Sequence, residues 1–310
     1  MADHLEQRAD IFVPGGGDWR EALSSVTHMA IGAHPDDCEF MAFPGIEECR
    51  RGGGKFGAVV LTDGAGSVGG GDDLRAARRL EQHAAAELGG YAIAVQLGLS
   101  SEHLKNPEGQ NASALLAEIF AQASPRIVYT HNPCDRHDTH VAACLRVVET
   151  LRSVPPDHQP QKVYGCEVWR DLDWLCGSDR HRLDCGTDEK FASALNAVFR
   201  SQIEGGKRYD LAVIGRRRAQ ATFDDPHAAD SAAMVTLAMD LTPLVADPHL
   251  SISDFALVAV DRFREDVRAR LGRTANFMCH SAPLAISANC RQPSTLRSVA
   301  TTQTALAWRY

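Results

Sequence analysis

The sequence predicts an α/β fold, a mostly parallel sheet with helices on both faces. Two observations carry the prediction, and a third bounds it. Short continuous apolar runs such as Ala58-Val59-Val60-Leu61 recur along the first half of the chain, as strands buried on both sides require. Stretches of helical spacing lie between these runs, which implies right-handed crossovers between parallel strands. With 310 residues, 44% hydrophobic and 23% charged, the composition is that of an ordinary soluble globular protein, enough for one large domain or two modest ones.

Taken in order, residues 1–20 are polar, contain the Gly15-Gly16-Gly17 turn, and are expected to be loosely packed. Residues 26–33 read as the first strand. Phe40, Phe43 and Ile46 stand at helical spacing within Glu39 to Arg51, and Gly52-Gly53-Gly54 stops that helix. Phe56 to Leu61 is the second strand, followed by a glycine-rich loop from Thr62 to Gly71. A helix from Asp72 to Leu88 has Asp72 or Asp73 as its cap and Gly89-Gly90 as its end. Ile93 to Leu97 is a strand, Ser113 to Ala123 a helix, Arg126 to Thr130 a strand, Thr139 to Leu151 a helix and Val163 to Trp169 a fifth strand.

Beyond residue 170 the pattern weakens. Helices are expected over Asp188 to Ile203 and Pro226 to Asp240, while Arg208 to Arg218 fits strand or helix. Residues 252–272 join a β-like stretch, Phe255 to Val260, to a helical end. Residues 274–310 are rich in Ser, Thr, Ala and Gln and read as an irregular or disordered tail. The resulting plan is a lead-in over 1–25, a main domain over 26–245, an extension of it over 246–273, and the tail.

The formal charge of −8 weighs against a nucleic-acid-binding surface. Arg216-Arg217-Arg218 is the only dense basic run, expected on a solvated helix face. Nine cysteines without a CxxC pair, and no secretion signal at the polar start, read as free thiols in a reducing compartment. A cytoplasmic protein is therefore expected. No run approaches the roughly 18 apolar residues of a membrane span.

Two clusters carry chemistry. His34-Pro35-Asp36-Asp37 follows the apolar run Met29 to Ile31, so it sits at a strand's carboxyl end, where open α/β sheets place their ligands. His34 and Asp37, three apart on a tight turn, can share one divalent ion. Asp36, between them, can take a proton from water activated there. Capping of the following helix is the competing explanation. The second cluster is Asp135-Arg136-His137-Asp138-Thr139-His140. One of its histidines can complete a three-ligand site, and the other can stand beside the open position. His131, at the strand terminus, is an extra histidine without partner spacing.

These residues in order, with Thr62-Asp63-Gly64, Arg78-x-x-Glu81 and Leu88-Gly89 between them, resemble the PIG-L/LmbE family of metal-dependent N-deacetylases over about residues 26–245. The resemblance implies a Rossmann-like fold, Zn2+ (or Fe2+, which suits two His and one Asp) held by His34, Asp37 and His140, Asp36 as general base, and His137 as stabiliser of the tetrahedral intermediate and acid to the leaving amine. It makes Arg78 and Asp63 the candidate substrate-binding residues. For Arg78 the competing explanation is a surface pair with Glu81. The implied activity is removal of an N-acyl group, acetyl above all, from an N-acetylglucosamine-type conjugate. A non-sugar amide as substrate, or a binding protein that has lost catalysis, are the alternatives. Family members often associate, which implies a homo-oligomer as a possible state.

Two departures stand out. The family usually has His-x-Asp-His, where this chain has His137-Asp138-Thr139-His140. Without that carboxylate His137 should protonate less readily, and Asp135 is a candidate substitute. Cys38 stands where the family often has Glu. The loop after Thr62 lacks the Gly-Lys-Ser/Thr ending of a phosphate-binding loop. His227 is a late candidate for the pocket, with capping of a helix start as its competing explanation. Trp169 and Trp174 are candidates for stacking on a sugar, with core packing as theirs.

Overall fold

The apolar runs pair into one eight-stranded sheet, in a computed structural model that describes residues 4–66, 71–106 and 109–275. The strands are β1 (Asp10–Phe12), β2 (His28–Gly32), β3 (Phe56–Thr62), β4 (Ile93–Leu99), β5 (Ile127–His131), β6 (Lys162–Cys166), β7 (His181–Asp184) and β8 (Val235–Asp240). Their order across the sheet is β1-β4-β3-β2-β5-β6-β8-β7. The central run β4-β3-β2-β5-β6 is parallel, whereas β1, β8 and β7 each pair antiparallel with a neighbour. The fold class is as expected.

Alternating residues of the central strands feed two cores, one on each face. Met29, Ile31, Val59, Leu61 and Val95 pack with Leu115, Ile119, Val147 and Leu151. Ala30, Ala58, Val60 and Ala94 pack with Phe43, Ile46, Ala85, Ala86 and Phe199. The strand order reverses between β2 and β5, because the chain builds outward from β2 through β3 and β4 and then crosses to β5 and β6. The crevice at such a switch point lies between the loops that leave the two strands. Those loops carry the two clusters.

Several expectations are corrected. The described part of residues 1–20 is not loosely packed: Leu5 is buried and residues 10–12 form an edge strand on β4. The helix expected from Glu39 is broken into Asp37–Met41 and Phe43–Glu48, with a wide turn Cys49–Gly53. Pro226 to Asp240 is not a helix: its second half is β8, inserted antiparallel beside β6. Ala and Met in this stretch favour a helix, but both faces are buried between two strands, and burial in the sheet overrides propensity. The β-like stretch Phe255 to Val260 lies inside the helix Ile252–Ala275, with only Ala256 and Ala259 of it buried. Asp188 to Ile203 divides into Glu189–Asn196 and Arg200–Glu204, and the ambiguous segment is the helix Tyr209–Thr222. Residues 1–267 form one compact unit, and the described part of residues 268–310 is the end of the helix Ile252–Ala275. The expected tail over 274–310 lies, from residue 276 on, outside the described residues. Among those described, no helix is long and apolar enough to cross a membrane, and seven cysteines are free thiols.

Candidate active site

The turn after β2 is shaped by its glycine and by one strained aspartate. A Cβ on Gly32 would lie 2.8 Å from the Asp37 Cβ, so only glycine lets the turn fold back this closely. Asp36 adopts φ 97° and ψ −27°, left-handed for a residue with a Cβ, which costs about 1–2 kcal/mol. Such strain is typical of functional turns. The turn throws Asp37 inward, where its Oδ2 accepts the His34 backbone N–H at 2.6 Å.

On the other side, β5 ends in a loop that opens the helix Asp138–Arg152. His137 is that helix's N-cap, and its Nδ1 accepts the Thr139 N–H at 3.2 Å. The neutral ring therefore carries its proton on Nε2. One turn later His140 points into the crevice, with Nδ1 3.0 Å from Asp135 Oδ2. That bond orients the ring and frees Nε2, as carboxylates behind metal-binding histidines do.

The two loops bring three ligand atoms together. His34 Nδ1 is 3.1 Å from His140 Nε2 and 3.3 Å from Asp37 Oδ2, and His140 Nε2 is 3.5 Å from Asp37 Oδ2. Ligands about 2.0–2.1 Å from a tetrahedral metal stand roughly 3.3–3.4 Å apart. The donor set and its spacing fit a divalent cation. Among the described residues, His34, His137 and His140 group within 4.8 Å, as do Asp37, His131 and His140.

His131 is placed behind this set. Its ring is fully buried, stacks on His140 at 3.9 Å, and puts Nε2 3.0 Å from the Ala33 amide and 3.3 Å from Asp37 Oδ2. Its Nε2 lies within reach of both the Ala33 amide and Asp37 Oδ2, which sets His131 against the buried face of Asp37 and His140.

Burial and charge set the protonation of these groups. Asp36 is held well above the usual carboxylate range by burial and by the carboxylates of Asp37 and Glu39, opposed by Arg78. Burial acts upward on Asp37 too, but His140, His131 and His34 outweigh it and hold it well below its ordinary value. Burial, with His34 next, lowers the pKa of His137, as expected for a ring that lacks a carboxylate partner. Asp135 does not fill that place: its Oδ1 accepts the His137 backbone N–H at 2.8 Å, and its Oδ2 serves His140.

The cleft over these atoms has a volume of about 120 Å³ and is lined by His34, Asp36, Asp37, His137 and His140 together with Arg78, Phe40, Val168, Trp169, Gln202 and Tyr209. Arg78 is buried, so it is not a surface arginine, and the Glu81 carboxylate accepts from Ser201 N–H and Oγ–H, each at 2.7 Å. The Arg78 guanidinium donates to the Gly64 carbonyl and, at 3.0 Å, to Gln202 Oε1. Gln202 in turn donates to the Pro35 carbonyl at 3.1 Å. Asp63 does not line the cleft; its Oδ2 meets Arg75 at 2.8 Å and its Oδ1 caps Ala65.

The remaining sequence candidates resolve individually. Cys38 is buried with Sγ directed at the Val59 carbonyl. Trp174 packs against the core and Phe263, whereas Trp169 is in the cleft wall. His227 is exposed in a turn, neither at a helix start nor in the cleft. The expected solvated run of arginines is wrong for Arg217, which is fully buried and donates from Nη2 to the carbonyls of Glu39 at 2.8 Å and Phe40 at 3.1 Å, with its guanidinium over the Phe43 ring. Helical periodicity, once Arg216 and Arg218 are taken as exposed, is the signal that marks Arg217. Gln202 and Tyr209 come from segments where the sequence offers no motif.

Comparison with known proteins agrees with this geometry. The family model for GlcNAc-PI de-N-acetylase (PIG-L) matches residues 29–151, which hold both clusters. No curated protein matches the chain. Among solved structures, N,N'-diacetylchitobiose deacetylase from Pyrococcus horikoshii is 17% identical with a TM-score of 0.56, over 71% of this chain and 85% of that one. A conserved protein from Thermus thermophilus is 18% identical with a TM-score of 0.56, over 73% and 99%. The 4-carboxy-2-hydroxymuconate hydratase of Pseudomonas putida is 18% identical with a TM-score of 0.52, over 70% and 96%. At such identities the likeness is one of fold, and it extends to a hydratase as well as a deacetylase. Residues 29–151, with both clusters, thus match the PIG-L family model, and the chain shares its fold with solved deacetylase and hydratase structures.

Proposed function

We propose that the protein is a metal-dependent hydrolase that removes an N-acyl group, acetyl in the first instance, from an N-acetylglucosamine-type conjugate. One observation carries the reading: two histidines and a carboxylate meet at metal-ligand spacing, with a high-pKa carboxyl and a further histidine at the same cleft. The sugar comes from the family description and the chitobiose deacetylase relative, so it is the part most open to test. Zinc is the first choice of metal and iron(II) the second, since two His and one Asp suit either. We place the protein in the cytoplasm from its free thiols.

In this reading His34, Asp37 and His140 hold the cation. When bound, it would polarise the amide carbonyl and make water acidic enough to ionise near neutral pH. Asp36 accepts the proton of the attacking water, and burial raises its affinity for that proton. His137, with its neutral ring donating from Nε2, hydrogen-bonds the oxygen that gains charge, an interaction worth roughly 2.7–4 kcal/mol per donor. Asp36 is then the protonated group at hand to deliver a proton to the departing amine. The lowered pKa of His137 makes it a better hydrogen-bond donor than acid here. Arg78, buried at the cleft, faces the hydroxyls of the sugar.

The test is to load the purified protein with zinc or iron(II) and follow free amine from N-acetylglucosamine, N,N'-diacetylchitobiose and N-acetylated non-sugar amines. Release from the sugars, abolished by His34→Ala, is expected. Metal binding without release from any amide would refute the reading and leave a binding protein.

A further inference from the structure

The cleft wall opposite the metal-ligand cluster belongs to neither motif. Trp169 is its main apolar surface, 36% exposed and in a loop without regular structure. Its ring meets Tyr209 edge-on at 5.9 Å, lies 26° from parallel to the His137 ring at 6.5 Å, and has Lys207 Nζ 5.8 Å from its centroid. An indole left half open beside a catalytic cleft needs something to hold its backbone.

Glu167 supplies it. Its carboxylate is almost fully buried, and a single oxygen, Oε1, accepts the N–H groups of Val168, Trp169 and Arg170 at 3.1, 2.6 and 2.7 Å. Successive amides arranged this way form a nest for an anion, and here the anion is the residue just before it. The second oxygen accepts from Asn132 Nδ2 at 2.9 Å. Asn132 is fully buried in the loop after β5, and its own Oδ1 takes the Cys134 N–H at 2.8 Å. That loop continues into Asp135, His137 and His140. One carboxylate thus ties the loop bearing His137 to the loop bearing Trp169. From the outside, Arg216 Nη1 grips the Val168 carbonyl at 2.6 Å.

We infer that Trp169 is the platform on which a pyranose ring stacks while its N-acyl group reaches the cleft, and that Glu167 is the positioning residue that fixes the platform relative to His137. The inference rests on the hydrolase reading above for its substrate. Its chemistry is that of a flat indole, which gains from the C–H face of a sugar and gains little from a short acyclic amine. The anchoring works because both carboxyl oxygens accept, Oε1 from three amides and Oε2 from Asn132 Nδ2; a glutamine keeps one acceptor oxygen and must turn an NH2 group toward one of these donors.

The experiment compares Trp169→Ala, Trp169→Phe, Glu167→Gln and the double variant Trp169→Ala/Glu167→Gln on N-acetylglucosamine and on N-acetylethanolamine. Trp169→Ala should raise KM for the sugar about three- to tenfold, with kcat falling less, Trp169→Phe should recover most of the loss, and kcat/KM for the acyclic amide should change far less. Glu167→Gln should act in the same direction, and the double variant should lose no more than Trp169→Ala alone. A second readout needs no turnover. With Trp19, Trp174 and Trp308 replaced by Phe, acrylamide quenching of Trp169 fluorescence should be reduced by N-acetylglucosamine and increased by Glu167→Gln. Sugar protection without hydrolysis of any amide would refute the hydrolase and keep the platform. Hydrolysis of the sugar with KM unmoved by Trp169→Ala, or quenching indifferent to both sugar and Glu167→Gln, would overturn the inference.

Discussion

Asp135→Asn tests the support behind His140. Asp135 satisfies two donors at once, the His140 Nδ1–H at 3.0 Å and the His137 backbone N–H at 2.8 Å, with a side chain that is fully buried. Asparagine offers one acceptor oxygen, so one of those donors must face an NH2 group. If His140 is the one deprived, a charge-assisted hydrogen bond worth about 1.5–3 kcal/mol is lost from the ring that presents Nε2 to the cation. If His137 is deprived, the N-cap shifts and the ring of His140, one turn on, shifts with it. Either way zinc affinity should fall roughly 10- to 100-fold, the usual effect of removing such a partner. The assay is competition for zinc between the apoprotein and a chromophoric chelator at fixed pH. A circular dichroism melt alongside shows that the variant is folded. A folded variant that binds zinc within threefold of the wild type would refute the claim that Asp135 orients a metal ligand.

Three further outcomes follow from the same geometry. Asp36→Asn should keep its zinc and lower kcat by about 10²–10⁴, the range for loss of a general base; loss of zinc instead would make Asp36 a ligand. Glu39 is buried and its pKa is raised to about 7 by burial, against hydrogen bonds from Gln82 and Tyr91. The folded state therefore holds its proton more tightly than the unfolded chain, and stability present below pH 4.5 is lost as pH rises to about 7. That amounts to about 3 kcal/mol by pH 8, so Glu39→Gln should flatten the fall of Tm between pH 5 and 8, and an unchanged slope would contradict it. Gly64 has φ +65°, and a Cβ there would meet Arg78 Nη1 at 2.5 Å; Gly64→Ala should cost about 1–2 kcal/mol in a denaturant melt and raise KM by displacing Arg78.

The first half of the fold was legible because its strands are buried on both faces and read as continuous apolar runs. The clusters were legible because they follow such runs directly, so strand ends located them without coordinates. The later elements were not. Met234 to Met239 is as apolar as β3, but its residues favour helices and its partner, β6, is remote in sequence. His181–Asp184 is too short and too polar to signal a strand on its own. At the site, spacing pointed to His34 and Asp37 with one histidine of the second pair, and only the family resemblance singled out His140; Asp135's partner could not be read from the chain. Its place in the chain makes it a candidate to steady His137, and the structure gives its side chain to His140. Trp169 and Gln202 gain meaning only from packing, since nothing adjacent in the chain marks them.

The contact of Arg217 with the carbonyls of Glu39 and Phe40 reaches beyond packing. The short helix Asp37–Met41 carries the Asp37 carboxylate in its first turn, and its carbonyls at Glu39 and Phe40 are gripped by a cation remote from them in sequence. The segment matched by the family model stops at residue 151, so that segment alone leaves this grip behind. A fragment cut to the motif boundaries would retain every reactive group and lose the clamp that keeps Asp37 facing His140. Damage near Arg217 would likewise register at the cleft as misalignment, although nothing in the cleft itself had changed.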